Sequence, residues 1–93
     1  MAVMRIDILS KKGEENKVKF FTTGLQRAAQ LANIQIDINT TQNFSAFGGH
    51  SFNPSKTPIV FINGHVEFMG EMPGVPVLQV KLCQLRDKGS ESF

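Results

Sequence analysis

The feature that most constrains this 93-residue chain is an Asn-Gly pair between two apolar runs. Asn63 and Gly64 separate Ile-Val-Phe-Ile at positions 59–62 from His-Val-Glu-Phe-Met at positions 65–69. Such a pair is typical of a type I′ turn, because that turn requires positive φ at both central residues. The sequence therefore predicts a β-hairpin with its turn at Asn63-Gly64. Pro58 stands at the mouth of the first strand, where a residue without a backbone N–H is tolerated.

The rest of the chain divides into elements by the period of its apolar residues. Residues 3–9 form a first strand, and residues 34–38 alternate apolar with polar side chains as a half-buried second strand. Between them, apolar residues at helical spacing predict a helix over 14–32. Its stripe consists of Val18, Phe21, Leu25, Ala28, Ala29 and Ala32. A last helix has Pro76 in its first turn and carries the stripe Val75, Leu78, Leu82 and Leu85.

The middle of the chain is less regular than its flanks. Phe44 and Phe47 indicate one or two helical turns, followed by a glycine-containing loop to residue 56. The order is then β-α-β-(short α)-β-β-α. A right-handed crossover makes the first two strands parallel, and the hairpin completes a four-stranded mixed sheet. We expect one α/β domain over 1–85 and a polar, frayed tail over 86–93.

The ends of the first helix also carry signals. Ser10 or Gly13 is expected to cap its start, and Asn33 to close it. Glu14 and Glu15 fall in its first turn, where carboxylates match the positive end of the helix dipole. The same two charges would repel an anion from this helix start.

This order, together with the segment TPIVFINGHVEFMGEMPGVPVLQVKL at 57–82, resembles the small thioredoxin-like domains of glutaredoxin size that carry a redox-active disulfide. The resemblance covers residues 3–85. It implies a thioredoxin-like fold and a cis peptide bond at Thr57-Pro58. It also implies an edge where the backbone before the cis proline pairs with an extended peptide or with glutathione, so Thr57 and Pro58 are the candidate peptide-binding residues.

The chain departs from that family at the place of the Cys-x-x-Cys motif. The motif falls here on Gly13-Glu14-Glu15-Asn16, with Gly13 and Asn16 at the two thiol positions. Neither side chain performs thiol-disulfide exchange, which requires a thiolate. We therefore expect no catalytic residue and no cofactor at this position.

The remaining reactive residues indicate no second site. Cys83 is the single cysteine and lies one residue from the stripe of the last helix, so we expect a packed, unreactive thiol and a reducing, cytoplasmic location. His50, His65 and Cys83 lack the spacing of metal ligands. With 10 basic and 8 acidic residues, the charge of +2 argues against nucleic-acid binding. The sequence contains no apolar run that predicts a membrane span or a signal peptide.

Four apolar residues lie off the stripes of their own helices, namely Phe20, Leu31, Val77 and Val80. If both helices cover the same face of the sheet, these side chains form a continuous exposed patch, which in a soluble protein marks a partner or self-association surface. The other interpretation is that they flank the contact between the helices and are mostly buried. The first interpretation favours a redox-inactive binding or scaffold module whose partner is another protein or a second copy.

Two other classes of function stay open. One is a thiol- or glutathione-dependent oxidoreductase or transferase that uses Cys83 or the Thr57-Pro58 step. In that case Lys11, Lys12 and Lys56 are available for the carboxylates of glutathione. The other class is a structural subunit of a homo-oligomer.

Overall fold

A computed structural model describes residues 3–43 and 55–91, without the side chains of 88–91. The elements follow as β1 (Met4–Leu9), α1 (Glu15–Leu31), β2 (Ile36–Thr41), β3 (Ile59–Ile62), β4 (His65–Met69) and α2 (Val75–Glu91). The sheet order is β2-β1-β3-β4. β1 and β2 are parallel, and β3 runs antiparallel to β1 and to β4. The predicted α/β class with a four-stranded mixed sheet is confirmed. The short helix predicted at Phe44 and Phe47 lies outside the described residues.

Alternation along β1 divides the core between the two faces of the sheet. Ile6 and Ile8 point toward the helices, where they meet buried residues of both α1 and α2. The helices supply Phe21, Leu25, Ala28, Ala29, Leu78 and Leu82 to this main core. Leu9 points to the opposite face, where it forms a smaller cluster with Ile59 and Phe61. Both described helices therefore pack on the same face of the sheet.

The start of α1 differs from the prediction. Its N-cap residue is Glu14, whose carbonyl accepts the Val18 N–H at 2.9 Å. The expectation that Ser10 or Gly13 caps the helix is wrong. The chain first makes a tight turn in which the Glu14 N–H donates to the Lys11 carbonyl at 3.2 Å, and Gly13 occupies a positive φ of 95° within it. A glycine suits that turn because it carries no β-carbon.

The end of α1 follows the prediction. Asn33 has a φ of 57°, and its N–H donates to the Gln30 carbonyl at 3.2 Å. The next N–H, of Ile34, donates to the Ala29 carbonyl at 2.9 Å. This pair of bonds is a Schellman motif, which satisfies carbonyls that the helix leaves unpaired. Because Ile34 is engaged there, β2 begins at Ile36 and not at 34.

Helix α2 extends farther than the apolar pattern predicts. Pro76 lies in its first turn, as expected, but the helix continues past Leu85 to Glu91. The predicted frayed tail is therefore wrong for residues 86–91. The Arg86 guanidinium donates to the Ala32 carbonyl at 3.5 Å, which ties this part of α2 to the end of α1.

The hairpin forms as the Asn-Gly pair predicts. Asn63 and Gly64 have φ values of 51° and 85°, the positive values that a type I′ turn requires. The turn is also attached to β1, because Asn63 exchanges two hydrogen bonds with Arg5. Its N–H donates to the Arg5 carbonyl at 2.8 Å, and its side-chain oxygen accepts the Arg5 N–H at 3.0 Å.

The second strand of the hairpin contains a β-bulge. Val60 pairs with Phe68, whereas Phe61 pairs with Val66, so Glu67 is an extra residue in β4. Phe68 packs on the main core, and the carboxylate of Glu67 lies 3.1 Å from the ammonium of Lys81 in α2. The bulge thus directs two consecutive side chains to the helical face of the sheet.

Candidate functional site

The candidate site is the corner where the loop after β1 meets the loop before β3. These loops are neighbours because Leu9, the last residue of β1, pairs with Ile59, the first residue of β3. We call this place the β1–β3 corner. It contains the two residues at the thiol positions of the resembled motif, the two candidate peptide-binding residues, and Glu14. Its members are Gly13, Glu14, Asn16, Thr57 and Pro58.

A carboxylate joins the two sides of the β1–β3 corner. One oxygen of Glu14 accepts the Thr57 hydroxyl at 3.0 Å, and the other accepts the Lys11 N–H at 2.6 Å. Glu14 is partly buried and Thr57 is buried. The sequence indicates for Glu14 only a charge that matches the helix dipole, and nothing in the local pattern points to Thr57 as its partner. The two hydrogen bonds of the Glu14 carboxylate tie the start of α1 to the loop before β3.

The Thr57-Pro58 step is packed inside the protein. The peptide bond between these residues is cis, and the Pro58 carbonyl accepts the Gly70 N–H at 2.8 Å. The side chain of Pro58 is fully buried, and Thr57 is 6% exposed. Gly70 has a φ of 78°, and a β-carbon there would lie 3.4 Å from the Lys56 carbonyl oxygen. The Thr57 hydroxyl donates to Glu14, so the predicted contact with a peptide depends on the backbone of Thr57 and not on its side chain.

The two positions that replace the thiols of the resembled motif are on the surface. Gly13 is exposed in the turn before α1, and Asn16 is exposed in the first turn of the helix. The side chains of Glu14 and Glu15 add negative charge at the same helix start. No cysteine lies at this place, and an anion there would meet the exposed cations Lys11, Lys12 and Lys56 as well as the two carboxylates.

Cys83 is far from the β1–β3 corner. The residues one turn before and after it on α2, Gln79 and Arg86, donate to the carbonyls of Leu31 and Ala32 at 3.5 Å. Those carbonyls are at the C-terminal end of α1, whereas the corner is at its N-terminal end. A helix of 17 residues is about 25 Å long. The half-buried thiol of Cys83 therefore has no access to the Thr57-Pro58 step.

The four off-stripe apolar residues are all exposed, by 73% for Phe20, 51% for Leu31, 58% for Val77 and 57% for Val80. Two of them, Phe20 and Val77, do not share one surface. The side of α2 that faces α1 carries the hydrogen bonds of Gln79 and Arg86. Val77 lies one turn before Lys81, on the side of α2 that faces β4. Val77 and Phe20 are therefore on opposite sides of α2.

A groove that the sequence did not indicate lies beside the corner. It has a volume of about 500 Å³ and runs between α1 and the segment after β4. We call it the Phe20 groove, and its lining consists of Asn16, Lys17, Phe20, Phe21, Gly70, Glu71 and Met72. In the sequence, only the position of Phe20 off the apolar stripe of α1 could have indicated this groove. The segment after β4 shows neither a helical nor a strand period of apolar residues.

Other kinds of site find no support in the part of the chain that the structure describes. Among residues 3–43 and 55–91, no group of three His, Cys, Asp or Glu side chains could hold a metal ion. Of the two histidines, at which the sequence predicts no metal site, His65 is exposed and His50 lies outside the described residues. Within the same ranges, no helix combines the length and apolar character needed to cross a membrane.

Comparisons of the chain with protein-family models, with curated proteins and with solved structures each found no match. The fold and the corner thus define a small α/β protein with a mixed sheet, both described helices on one face, and a cis proline opposite the start of α1.

Proposed function

We propose that this chain is a thioredoxin-like protein without thiol redox activity that acts as a protein-binding or scaffold module. The order β-α-β followed by an antiparallel hairpin and a helix supports the thioredoxin-like assignment. So does the position of the Thr57-Pro58 step, which contacts the start of α1 through Glu14. These are the places where the resembled family keeps its cis proline and its thiols.

The main support for the absence of redox activity is that a carboxylate, that of Glu14, occupies the corner in place of a thiol. A reactive thiolate at a helix start requires a cysteine with a lowered pKa in electropositive surroundings. Here the corner contains no cysteine, and the Lys11 N–H and the Thr57 hydroxyl both donate to a carboxylate. The only thiol of the chain is about a helix length away. The corner is built for packing, and it offers no group for disulfide exchange.

The exposed apolar side chains support the binding half of the proposal. Phe20, Leu31, Val77 and Val80 are each more than half exposed. Valine is a poor helix former, because branching at Cβ restricts its side chain, so Val77 and Val80 do not serve the stability of an exposed helix surface. Burial against another protein would therefore explain why apolar side chains occupy these exposed positions.

Disulfide reduction tests the redox half. We expect the rate of insulin reduction by dithiothreitol to equal the rate without protein, for the wild type and for the matched variant Cys83→Ser. An acceleration that Cys83→Ser abolishes would establish a monothiol oxidoreductase and overturn the proposal.

Glutathione binding tests the remaining enzyme class. Titration calorimetry with reduced glutathione is expected to give no binding heat, since Thr57 is buried and Glu14 and Glu15 offset part of the positive charge of Lys11, Lys12 and Lys56. The variant Glu14→Gln, which removes one of the negative charges, is the control for electrostatic exclusion. Saturable binding by the wild type would favour the transferase class.

A further inference from the structure

We infer that the Phe20 groove is the contact surface between two copies of this chain. This inference rests on the proposed function, since a binding module needs a partner, and it identifies the partner that contacts Phe20 as a second copy. The contact is isologous, meaning that both copies use the same surface around a two-fold axis.

The shape of the surface is self-complementary. Phe20 is 73% exposed and stands at the groove, so it is a projecting ring beside a depression. The neighbouring apolar lining is supplied by Phe21, which is 4% exposed, and by the half-buried Met72. In a two-fold contact, Phe20 of each copy enters the groove of the other. Aromatic side chains in such pockets are frequent centres of binding energy.

The charges of the groove are also self-complementary. Lys17 is on α1, one turn before Phe20, and Glu71 is on the segment after β4. They line the same groove without pairing with each other, and neither takes part in an ion pair among the described residues. A two-fold axis that runs along the groove places Lys17 of one copy near Glu71 of the other, and the reverse pair forms on the other side of the axis. An uncharged apolar peptide would fill the groove and leave both charges unpaired.

Sedimentation velocity of the full chain over a range of concentrations tests the contact. We expect the wild type to show a monomer–dimer equilibrium. Phe20→Ser is expected to raise the dimer Kd by at least about 30-fold, because it removes the projecting ring. Phe20 is exposed, so the variant should fold, and its urea transition is the check. A wild type that stays monomeric at its highest soluble concentration would overturn the inference.

A charge exchange tests the two-fold geometry. Lys17→Glu and Glu71→Lys each place like charges across both pairs, so each variant alone should dimerise roughly tenfold more weakly. An equimolar mixture of the two variants restores opposite charges in both pairs and should recover dimers. Lys19→Glu makes the same charge change on α1 outside the groove and should leave the Kd unchanged.

Each outcome separates the inference from the proposed function. Failure of the mixture to recover dimers, or an equal effect of Lys19→Glu, overturns the groove contact and leaves the redox-inactive module standing. Disulfide reductase activity that depends on Cys83 overturns the proposed function, whatever the oligomeric state.

Discussion

The hydroxyl of Thr57 donates to the carboxylate of Glu14 at 3.0 Å, across a separation of 43 residues in the chain. The other oxygen of the same carboxylate accepts the Lys11 N–H. One side chain therefore connects the turn before α1, the start of that helix and the loop before β3. Because Thr57 is buried, its hydroxyl depends on this partner.

Removing the hydroxyl should destabilise the fold. We expect Thr57→Val to lower the free energy of unfolding by about 1–2 kcal/mol, since a carboxylate loses a charge-assisted hydrogen bond without a change in side-chain volume. Urea denaturation measures the loss. Thr57→Ser keeps the hydroxyl and is the matched control, and equal midpoints for Thr57→Val and the wild type would show that the bond contributes nothing.

Replacing each of two glycines with alanine should change the free energy of unfolding in opposite directions. Gly70→Ala is expected to cost about 1–2 kcal/mol, because Gly70 has a φ of 78°, a backbone conformation that residues with a β-carbon rarely adopt. Gly24→Ala should stabilise the protein by about 0.5–1 kcal/mol, because Gly24 lies within α1 and its β-carbon would make ordinary contacts with Leu78 and Met72. Thermal or urea unfolding of the pair gives the comparison. Equal effects would contradict the assigned backbone conformation.

Alanine substitutions at Leu25 and at Phe20 should distinguish a residue needed for folding from a residue needed for association. Leu25 is fully buried in the main core, so Leu25→Ala is expected to lower the unfolding free energy by about 2–5 kcal/mol. Phe20→Ala should change the unfolding free energy of the monomer by no more than about 0.5 kcal/mol, since its ring is mostly exposed. The measurement is urea denaturation at a concentration below the dimer Kd. A large loss for Phe20→Ala would mean that the ring belongs to the fold.

The exposed valines of α2 should matter for a protein partner and not for self-association. Burying a valine contributes on the order of 1.5 kcal/mol or more, so the pair Val77→Asp and Val80→Asp should weaken binding of a co-purifying partner by at least about 100-fold. The dimer Kd should stay unchanged, because Val77 lies across α2 from the Phe20 groove. Sedimentation of the purified complex and of the free chain gives both values, with Gln84→Asp as the control. Unchanged partner binding would remove the valines from the interface.

Several features were predictable because they depend on neighbours in the chain. The turn at Asn63-Gly64 and the closure of α1 at Asn33 follow from residues that tolerate positive φ. The buried stripe of α1 follows from helical periodicity, and the half-buried isoleucines of β2 follow from alternation. In each case the conformation of a few consecutive residues determines which side chains are buried.

Other features were decided only by the tertiary structure. Glu14 bonds to Thr57 because the antiparallel pairing of β1 with β3 brings their loops together. A bulge turns Glu67 toward Lys81, although strict alternation would place neighbouring residues on opposite faces.

The Phe20 groove belongs to this second group, since it joins α1 to a segment that follows β4. Local preferences for φ and the period of apolar residues determined the individual elements of this protein. The contacts between residues distant in the chain depended on how the strands are ordered and paired, which no single segment of the sequence encodes.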